Sequence, residues 1–287
     1  TMIGVSLTLM DLGKSKPVIQ LCDSVNEVMV MLVQIAMKLA PYGVAALLFE
    51  VVGSTGLSVL VALAAYGGVV ILGLLCHILI SYMPVIVAVV RLPFVGFIQS
   101  IRSALVLAFS TSSSSATLPV TMEACESNLK VSNEVASFVL PIGATVNMDG
   151  TALYQGVAAV FIAQIYGIDL SIADQMTIVV SATMASIGAA GVPGAGMLTL
   201  AMVLAAVGVP VEGVALVIGV DRILDMFRTT TNVIGDSTAT VLVGRIQGNP
   251  LRIVSPEEDA ADPSSGMEGR LDDVEPQPVR ADETDQV

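Results

Sequence analysis

The sequence predicts an all-α polytopic membrane protein. Of its 287 residues, 54% are hydrophobic and only 13% are charged, and the mean hydropathy is +0.84. This composition is too apolar for a soluble domain of such length. In addition, several apolar segments are interrupted near their centres by polar or glycine-rich motifs, which is typical of re-entrant and broken membrane helices.

The first part of the chain predicts two membrane helices. Residues 1–52 are expected to form a linker and one span over residues 25–52, as part of a scaffold. Residues 57–90 then carry no formal charge, and at 1.5 Å per residue such a helix is about 50 Å long. Because the hydrocarbon core is only about 30 Å thick, we expect this helix to tilt or to bend near Pro84.

Two later segments are each predicted to form a re-entrant hairpin. Residues 94–122 are apolar at both ends but are split by a serine cluster at 110–115, and neither half is long enough to cross a bilayer. Residues 175–208 repeat this design around the sequence GAAGVPGAG at 188–196, where proline blocks a continuous helix and glycine permits close backbone approach. Serine clusters also occur in helix packing and in linkers, so the cluster by itself does not define a site.

Between the hairpins, residues 133–166 predict a helix that is broken in its middle by the sequence NMDGT at 147–151. A discontinuous helix exposes backbone carbonyls and half-helix ends at membrane depth, where transporters coordinate ions. The acidic residue of this break, Asp149, has a second interpretation. It can pair with Arg222 or Arg228 for packing only.

The last apolar span carries ionisable side chains over residues 221–236. Such side chains cost roughly 2.5 to 3.5 kcal/mol each at a helix centre and persist mainly where a pathway or site uses them. At 100° per residue the polar members fall within an arc of about 100°; they are Asp221, Asp225, Arg228, Thr229, Asn232 and Asp236. An arginine between two acids suits a zwitterion with a second carboxylate, and a purely structural ion-pair network remains the alternative.

The order of hairpin, broken helix, hairpin and polar helix is typical of an inverted repeat. With alternating spans, one face of the membrane receives the basic residues Lys14, Lys16, Arg91, Arg102, Lys130, Arg245 and Arg252. The opposite face, at residues 51–56, 167–174 and 208–213, receives no lysine or arginine. The positive-inside rule therefore predicts that the first hairpin enters from the cytoplasm and that the C-terminus is cytoplasmic.

The net charge of −13 is unevenly distributed. From residue 251 onward there are 11 acids and 3 bases, so residues 249–287 are expected to be a disordered acidic tail. No basic patch indicates nucleic-acid binding. Catalysis is not expected either: no GxSxG-like sequence surrounds the serines, and Arg228 would oppose the shared proton of an aspartyl pair.

Four motifs, SSSSATLPVT, GATVNMDGTALYQG, ASIGAAGVPGAG and DRILDMFRTTTNVIGDS, occur in this order. Together they resemble the glutamate transporter family, the dicarboxylate and amino acid:cation symporters. The resemblance implies an elevator-type transport domain over residues 53–248, a homotrimer in the full-length protein, and further membrane helices before residue 1. It also implies a multi-pass protein of the plasma membrane, or of the inner membrane if the source is bacterial.

The resemblance further implies a substrate site in which Arg228 binds the side-chain carboxylate and Asp225 binds the ammonium group of an acidic amino acid. The implied substrate residues are Ser112, Ser113, Ser114, Thr151, Val192, Pro193, Gly194, Ala195, Gly196, Asp225, Arg228, Thr229 and Asn232. The implied sodium sites use Gly143, Thr145, Asn147, Asp149, Ser186, Ile187, Ala189, Asn232 and Asp236. No cofactor is expected besides sodium as the coupling ion.

The chain departs from the family pattern at two positions. Many prokaryotic members have an arginine where this chain has Ser112, and animal members have one where this chain has Met226. We hypothesise that Arg222, one helical turn earlier, supplies the missing charge.

Asp225 indicates L-glutamate or L-aspartate as substrate, because succinate has no ammonium group to pair with this acid. Uptake of such an anion into a negative cell requires coupled cations. Sodium is the expected ion. Proton-coupled uptake of acidic amino acids or of C4-dicarboxylates is the alternative, and an anion leak is expected only as a secondary activity.

Overall fold

The computed structural model describes residues 6–254, except residues 8, 11 and 57, and every regular element in this part of the chain is helical. Helix α1 spans Leu12–Thr55 and α2 spans Ser58–His77. The predicted all-α fold is confirmed. Helix α1 begins 13 residues before the predicted span, because the polar residues that precede the apolar segment continue the same helix.

Helix α2 continues through two π-helical turns, Ile78–Tyr82 and Val85–Val90, which flank Pro84. Proline lacks a backbone N–H and displaces the carbonyl four residues earlier, so wider turns on either side accommodate it. The apolar stretch Leu60–Val90 is long enough to cross a bilayer, and only 17% of its most apolar window is buried by protein. Most of this helix therefore presents apolar side chains outward, as a lipid-facing span does.

The first hairpin consists of α3 (Phe94–Ser100), α4 (Arg102–Thr111) and α5 (Ser114–Glu123). A bend of 62° separates α3 from α4. The chain then reverses at Ser112, which adopts a left-handed conformation with φ 54°. The hydroxyl of Ser113 caps α5 by accepting a hydrogen bond from the N–H of Ala116, at 3.1 Å. The serine cluster therefore forms the predicted turn.

The predicted broken helix is also present. Helix α6 (Asn133–Val146) ends before Asn147 and α7 (Asp149–Ile165) begins after Met148, and both linking residues have non-helical backbone angles. A π-helical turn at Ala124–Asn128 and a short loop connect the first hairpin to α6.

The second hairpin consists of α8 (Ile172–Ile187) and α9 (Ala195–Ala206). At 1.5 Å per residue these apolar helices are only about 24 Å and about 18 Å long, so neither crosses the hydrocarbon core by itself. A capping box between Ser171 and Asp174 starts α8. After a 3₁₀ turn at Val211–Gly213 the long helix α10 (Val214–Ile246) follows.

Helix α10 is the centre of the fold and contacts α2, α4, α6 and α7. One apolar cluster packs α2, α7, α8 and α9 against the first half of α10, through residues such as Val217 and Leu224. A second cluster packs α3, α5 and α6 against its second half, through Ile234 and Val241. The buried polar stripe of α10 lies between these clusters.

The chain that follows α10 still packs against the helical domain. Residues 249–254, the first residues of the predicted tail, pack against the loop that precedes α6. The rest of the predicted tail, residues 255–287, lies outside the described residues.

Gly213 provides a test of this packing. A Cβ atom there would overlap Cγ2 of Ile162 and lie 3.2 Å from the ring of Tyr166. We expect Gly213→Val to lower the free energy of unfolding by about 1 to 3 kcal/mol, because the neighbours must shift to admit the side chain. Thermal unfolding of the purified protein measures this loss. Gly156→Ala is the matched control, since a Cβ on that helical glycine meets nothing within 4 Å.

Candidate functional site

The tips of the two hairpins touch each other at one backbone carbonyl. The hydroxyl of Ser113 donates to the carbonyl of Gly191 at 2.7 Å, and the N–H of Ser115 donates to the same oxygen at 3.2 Å. Gly191 has no room for a side chain, because a Cβ atom would lie 2.6 Å from Oγ of Ser115 and 2.9 Å from the carbonyl oxygen of Ala144. The two tips therefore meet beside the end of α6.

The second tip also covers the polar stripe of α10. The N–H of Gly194 donates to Oδ2 of Asp225 at 3.0 Å. A Cβ atom on Gly196 would lie 3.0 Å from Nη1 of Arg228 and 3.2 Å from Cγ2 of Thr151. Asp225, Arg228 and Thr151 are thus in contact with residues of the second tip.

Arg228 is the largest fully buried side chain of the described residues. Its Nη2 lies 2.7 Å from Oδ1 of Asp225 and 3.1 Å from Oδ1 of Asp221. Its guanidinium carbon lies 3.8 Å from the centre of the Tyr154 ring, as a cation–π contact requires. Nε and Nη1 are buried and have no hydrogen-bond partner within the described chain. These two free donors lie on different edges of the guanidinium group, and each can bind an oxygen of an anionic ligand such as a carboxylate.

Asp225 retains acceptor capacity although both of its oxygens are engaged. One oxygen accepts from Arg228 and the other from the N–H of Gly194. A carboxylate offers about four lone-pair positions, so an additional donor such as an ammonium group can still bind. Asp221, Asp225 and Arg228 together carry one excess negative charge, which favours a cationic group at this place.

The break between α6 and α7 is filled by amide side chains and by the C-terminal residues of the polar stripe of α10. Oδ1 of Asn232 accepts from the N–H of Gly150 at 2.9 Å. Oδ1 of Asp236 accepts from Nδ2 of Asn147 at 3.0 Å. Gly143 faces the same carboxylate, because a Cβ atom there would lie 2.6 Å from Oδ1 of Asp236. Four of the predicted ion-binding residues are therefore adjacent.

Asp149 lies at the other side of this break and pairs with a histidine. Nε2 of His77 lies 2.7 Å from Oδ2 of Asp149, and Oγ of Ser81 lies 3.2 Å from Nδ1 of His77. The alternative in which Asp149 pairs with Arg222 or Arg228 is wrong, since α2 supplies its partner. The signal in the sequence is His77 itself, the one side chain able to carry a positive charge in a span without Lys, Arg, Asp or Glu.

The sequence profile of the sodium:dicarboxylate symporter family matches residues 1–246. The chain belongs to this family. It is 45% identical over 236 residues to excitatory amino acid transporter 1 of Ambystoma tigrinum and 45% identical over 234 residues to that of Homo sapiens, in each case covering 80% of this chain and 43% of the relative. It is 43% identical over 239 residues to excitatory amino acid transporter 3 of Mus musculus, covering 83% and 46% respectively. The chain thus spans less than half the length of the relatives it matches.

Other residues that were predicted to bind substrate or sodium differ in their burial. Ser112, Ser114, Thr229, Ser186 and Ala189 are buried, whereas Val192, Thr145 and Ile187 are exposed. The hydroxyls of Thr145 and Ser186 donate to carbonyls of their own helices, at 3.0 and 2.8 Å. Each hydroxyl oxygen keeps its lone pairs after donating its proton, so the hydroxyls and the backbone carbonyls of these residues are both available as oxygen ligands.

The donor set fits the monovalent cation of a sodium symporter. In the described part of the chain, no three His, Cys, Asp or Glu side chains gather at a metal-binding distance. The predicted ion residues instead combine single carboxylates with amide and carbonyl oxygens, which suits a hard cation of low charge.

The sequence reasoning omitted two site neighbours. Tyr154 lies under Arg228, and the amide of Gln155 donates to the carbonyl of Gly196 at 3.3 Å. Both lie one helical turn beyond Thr151, so their spacing on α7 is the signal that could have found them. Arg222 lies on the first-hairpin side, where its Nη2 is 3.5 Å from the carbonyl oxygen of Ser110.

An apolar cavity of about 850 Å³ lies elsewhere, between α2, α7 and α8. Its lining is made of residues such as Ala65, Val157 and Ile178, with glutamines at Gln164 and Gln175. It lacks the converging charges that a small polar ligand requires. The site that the chemistry indicates is therefore the charged region under the two tips.

The tip contact yields a direct prediction. Ser113→Ala removes the side-chain donor to the carbonyl of Gly191, and a buried hydrogen bond of this kind contributes about 1 kcal/mol. We expect amide hydrogen exchange in the second tip, residues 188–196, to become several-fold faster in the absence of substrate.

Ser110→Ala is the matched control for this experiment. The hydroxyl of Ser110 is exposed and donates to the carbonyl of Val106 in its own helix. Equal exchange rates for Ser113→Ala and Ser110→Ala would contradict the assigned contact between the tips.

Proposed function

We propose that the full-length protein that carries this chain takes up L-glutamate and L-aspartate together with sodium ions by alternating access. The observation that carries the proposal is the buried pair of Arg228 and Asp225 beneath two touching hairpin tips. The similarity to excitatory amino acid transporters supports the same substrate class.

In this proposal the substrate lies between α10 and the tips. The unpartnered N–H donors of Arg228 bind the side-chain carboxylate, and Asp225 accepts hydrogen bonds from the ammonium group. Thr151, Thr229 and Asn232 add hydrogen bonds. The serines of the first tip, Ser112, Ser113 and Ser114, and residues 192–196 of the second tip enclose the ligand and exclude water, which strengthens each of these charge contacts.

Charge explains why ions accompany the substrate. An acidic amino acid has a net charge of −1, and moving it into a negative cell costs about 2.3 kcal/mol per 100 mV. At least two cations must be carried before the membrane potential favours uptake. Sodium ions also neutralise Asp236, which is buried, and they add positive charge beside Asp149, whose other partner is His77.

The second tip is the element that ion binding controls in this proposal. Its Gly194 bonds to Asp225, and Gly191 lies against the end of α6 beside Gly143 and the other ion-binding residues of that helix. Filled ion sites therefore complete the surface on which the second tip closes. This order of events couples substrate binding to the cations.

The assembly follows from the same proposal. Residues 53–248 act as the moving transport domain, and residues 1–52 belong to a scaffold that holds a homotrimer in the plasma membrane. The C-terminus lies on the cytoplasmic side, as the distribution of basic residues requires.

A hydrolase is the candidate from another class, because Ser81, His77 and Asp149 form a hydrogen-bonded chain of the Ser-His-Asp type. Ser81 lies inside a π-helical turn, where the backbone N–H groups bond along the helix and cannot form an oxyanion hole. The family comprises symporters, and the serine arrangement therefore serves to orient His77 toward Asp149.

Uptake of radiolabelled L-aspartate into proteoliposomes tests the proposal. We expect a sodium gradient to drive accumulation by the full-length protein and a negative interior to accelerate it. If a pH gradient drives uptake equally well without sodium, the coupling ion is the proton. If succinate competes as well as L-glutamate does, the protein is a C4-dicarboxylate carrier.

The role of Asp225 is tested by Asp225→Asn. An amide cannot neutralise an ammonium group, so we expect the affinity for L-aspartate to fall by about 10- to 100-fold while weak binding of succinate stays the same or improves. Isothermal titration with both ligands provides the measurement. Thr230→Ala is the control on the same helix, because that hydroxyl bonds only to the carbonyl of Met226. A parallel loss of both ligands in Asp225→Asn would show that the acid does not select for the amino group.

A further inference from the structure

Residues 249–254, which follow α10 after the turn at residues 247–248, form what we call the terminal clasp. The N–H of Val254 donates to the carbonyl of Asn128 at 3.0 Å, and the N–H of Arg252 lies 3.4 Å from the carbonyl of Leu129. Nδ2 of Asn249 donates to the hydroxyl of Ser132 at 3.0 Å. The clasp therefore runs along the connection that joins the first hairpin to α6.

The apolar side chains of the clasp reach the other end of the same hairpin. Ile253 lies directly on Gly96 of α3, where a Cβ atom would come within 2.6 Å of its Cδ1. Leu251 and Ile253 both pack against the apolar cluster of α3, α5 and α6, which includes Phe94 and Ile98. The absence of a side chain at Gly96 creates the space that Ile253 fills.

Asn128 joins these two contacts into one unit. Its backbone carbonyl accepts from the clasp, while its Nδ2 donates to the carbonyl of Ser100 at 2.7 Å. Ser100 is the last residue of α3, immediately before the 62° bend into α4. The entry and the exit of the first hairpin are thus tied together at the place where the clasp binds.

The clasp is also continuous with α10. The chain turns at Gly248, with φ +83°, and the N–H of Asn249 donates to the carbonyl of Gly244 in the last turn of α10 at 2.9 Å. Any displacement of the base of the first hairpin relative to α10 must therefore break clasp contacts.

The base of the second hairpin is closed differently, through neighbours in the chain. A capping box at Ser171 begins α8, and the N–H of Val209 returns to the carbonyl of Leu204 after α9. The clasp is a remote segment, at least 117 residues along the chain from each residue of the connection to which it bonds. Its contacts therefore act on one of the two hairpins only.

We propose that the terminal clasp is a positioning segment that fixes the first hairpin on α10 and so holds its serine tip at the substrate site. The tip serines lie about ten residues from the bend at Ile101, so a small rotation at the base moves the tip by a larger distance. The proposal rests on the proposed function for its effect on substrate affinity, but its effect on the hairpin is independent of that function.

The test uses a proline substitution in the full-length protein. Val254→Pro removes the N–H that bonds to Asn128, whereas the matched control Val254→Ala keeps it and only shortens the side chain. Hydrogen exchange without substrate is measured for residues 101–123 of the first hairpin and residues 172–206 of the second. We expect about tenfold faster exchange in the first hairpin of Val254→Pro, with little change in the second hairpin or in the control.

A second pair of substitutions tests the apolar contact. Gly96→Val displaces Ile253, and Ile253→Ala in the same protein removes the clash. We expect Gly96→Val to accelerate hydrogen exchange in the first hairpin. The double substitution is expected to restore part of the protection, which would show that positions 96 and 253 interact energetically.

Substrate affinity is the functional measurement. If the clasp only stabilised the fold, the protein molecules that remain folded would bind the substrate with unchanged affinity. We expect L-aspartate to bind about three- to tenfold more weakly to Val254→Pro than to Val254→Ala. Unchanged exchange in the first hairpin, or equal acceleration in both hairpins, overturns the positioning role. If exchange changes as expected but no variant, including the unmodified protein, binds L-aspartate, the proposed function fails and the clasp assignment stands.

Discussion

The buried guanidinium of Arg228 is the constraint on which the centre of this structure depends. A charge at membrane depth is costly unless it is paired, and here Asp221, Asp225 and the ring of Tyr154 surround it. The two acids lie on α10, the same helix as Arg228, so the ion pairs form within one helix. The aromatic ring comes from α7. The requirement to solvate one cation therefore fixes the contact between α10 and the broken helix.

The layers around this cluster follow from the same requirement. Apolar clusters pack against both halves of α10, and the buried charged and amide side chains of the helix lie between Val217 and Val241. Several buried hydroxyls of α10, including Thr231, Ser237 and Thr240, donate to carbonyls four residues earlier in the same helix. They are satisfied without a tertiary partner, so they add no demand for water in the interior. The charged and amide side chains of the helix remain available to ligands and to the ends of α6 and α7.

The sequence was informative about elements and much less so about partners. Apolar lengths and the motifs that interrupt them predicted both hairpins, the break before Asp149 and the polar face of α10, because these features depend on local hydrophobic pattern and on backbone chemistry. The choice of partner depends on how separate helices pack, which no local pattern contains. Asp149 therefore pairs with His77 and not with an arginine of the stripe. The acidic composition after residue 251 likewise predicted a disordered tail and gave no indication that Ile253 packs on Gly96.

The carbonyl of Gly191 accepts hydrogen bonds from both Ser113 and Ser115, and this double contact has a consequence for the proposed transport cycle. A single peptide unit forms the seam between the hairpins, so movement of either hairpin away from the other breaks the same pair of bonds. Opening the site under the tips therefore breaks the same two hydrogen bonds, whichever hairpin moves. In the proposed transporter the two hairpins are the two barriers, and this one contact links their movements directly, without a signal between distant parts of the chain.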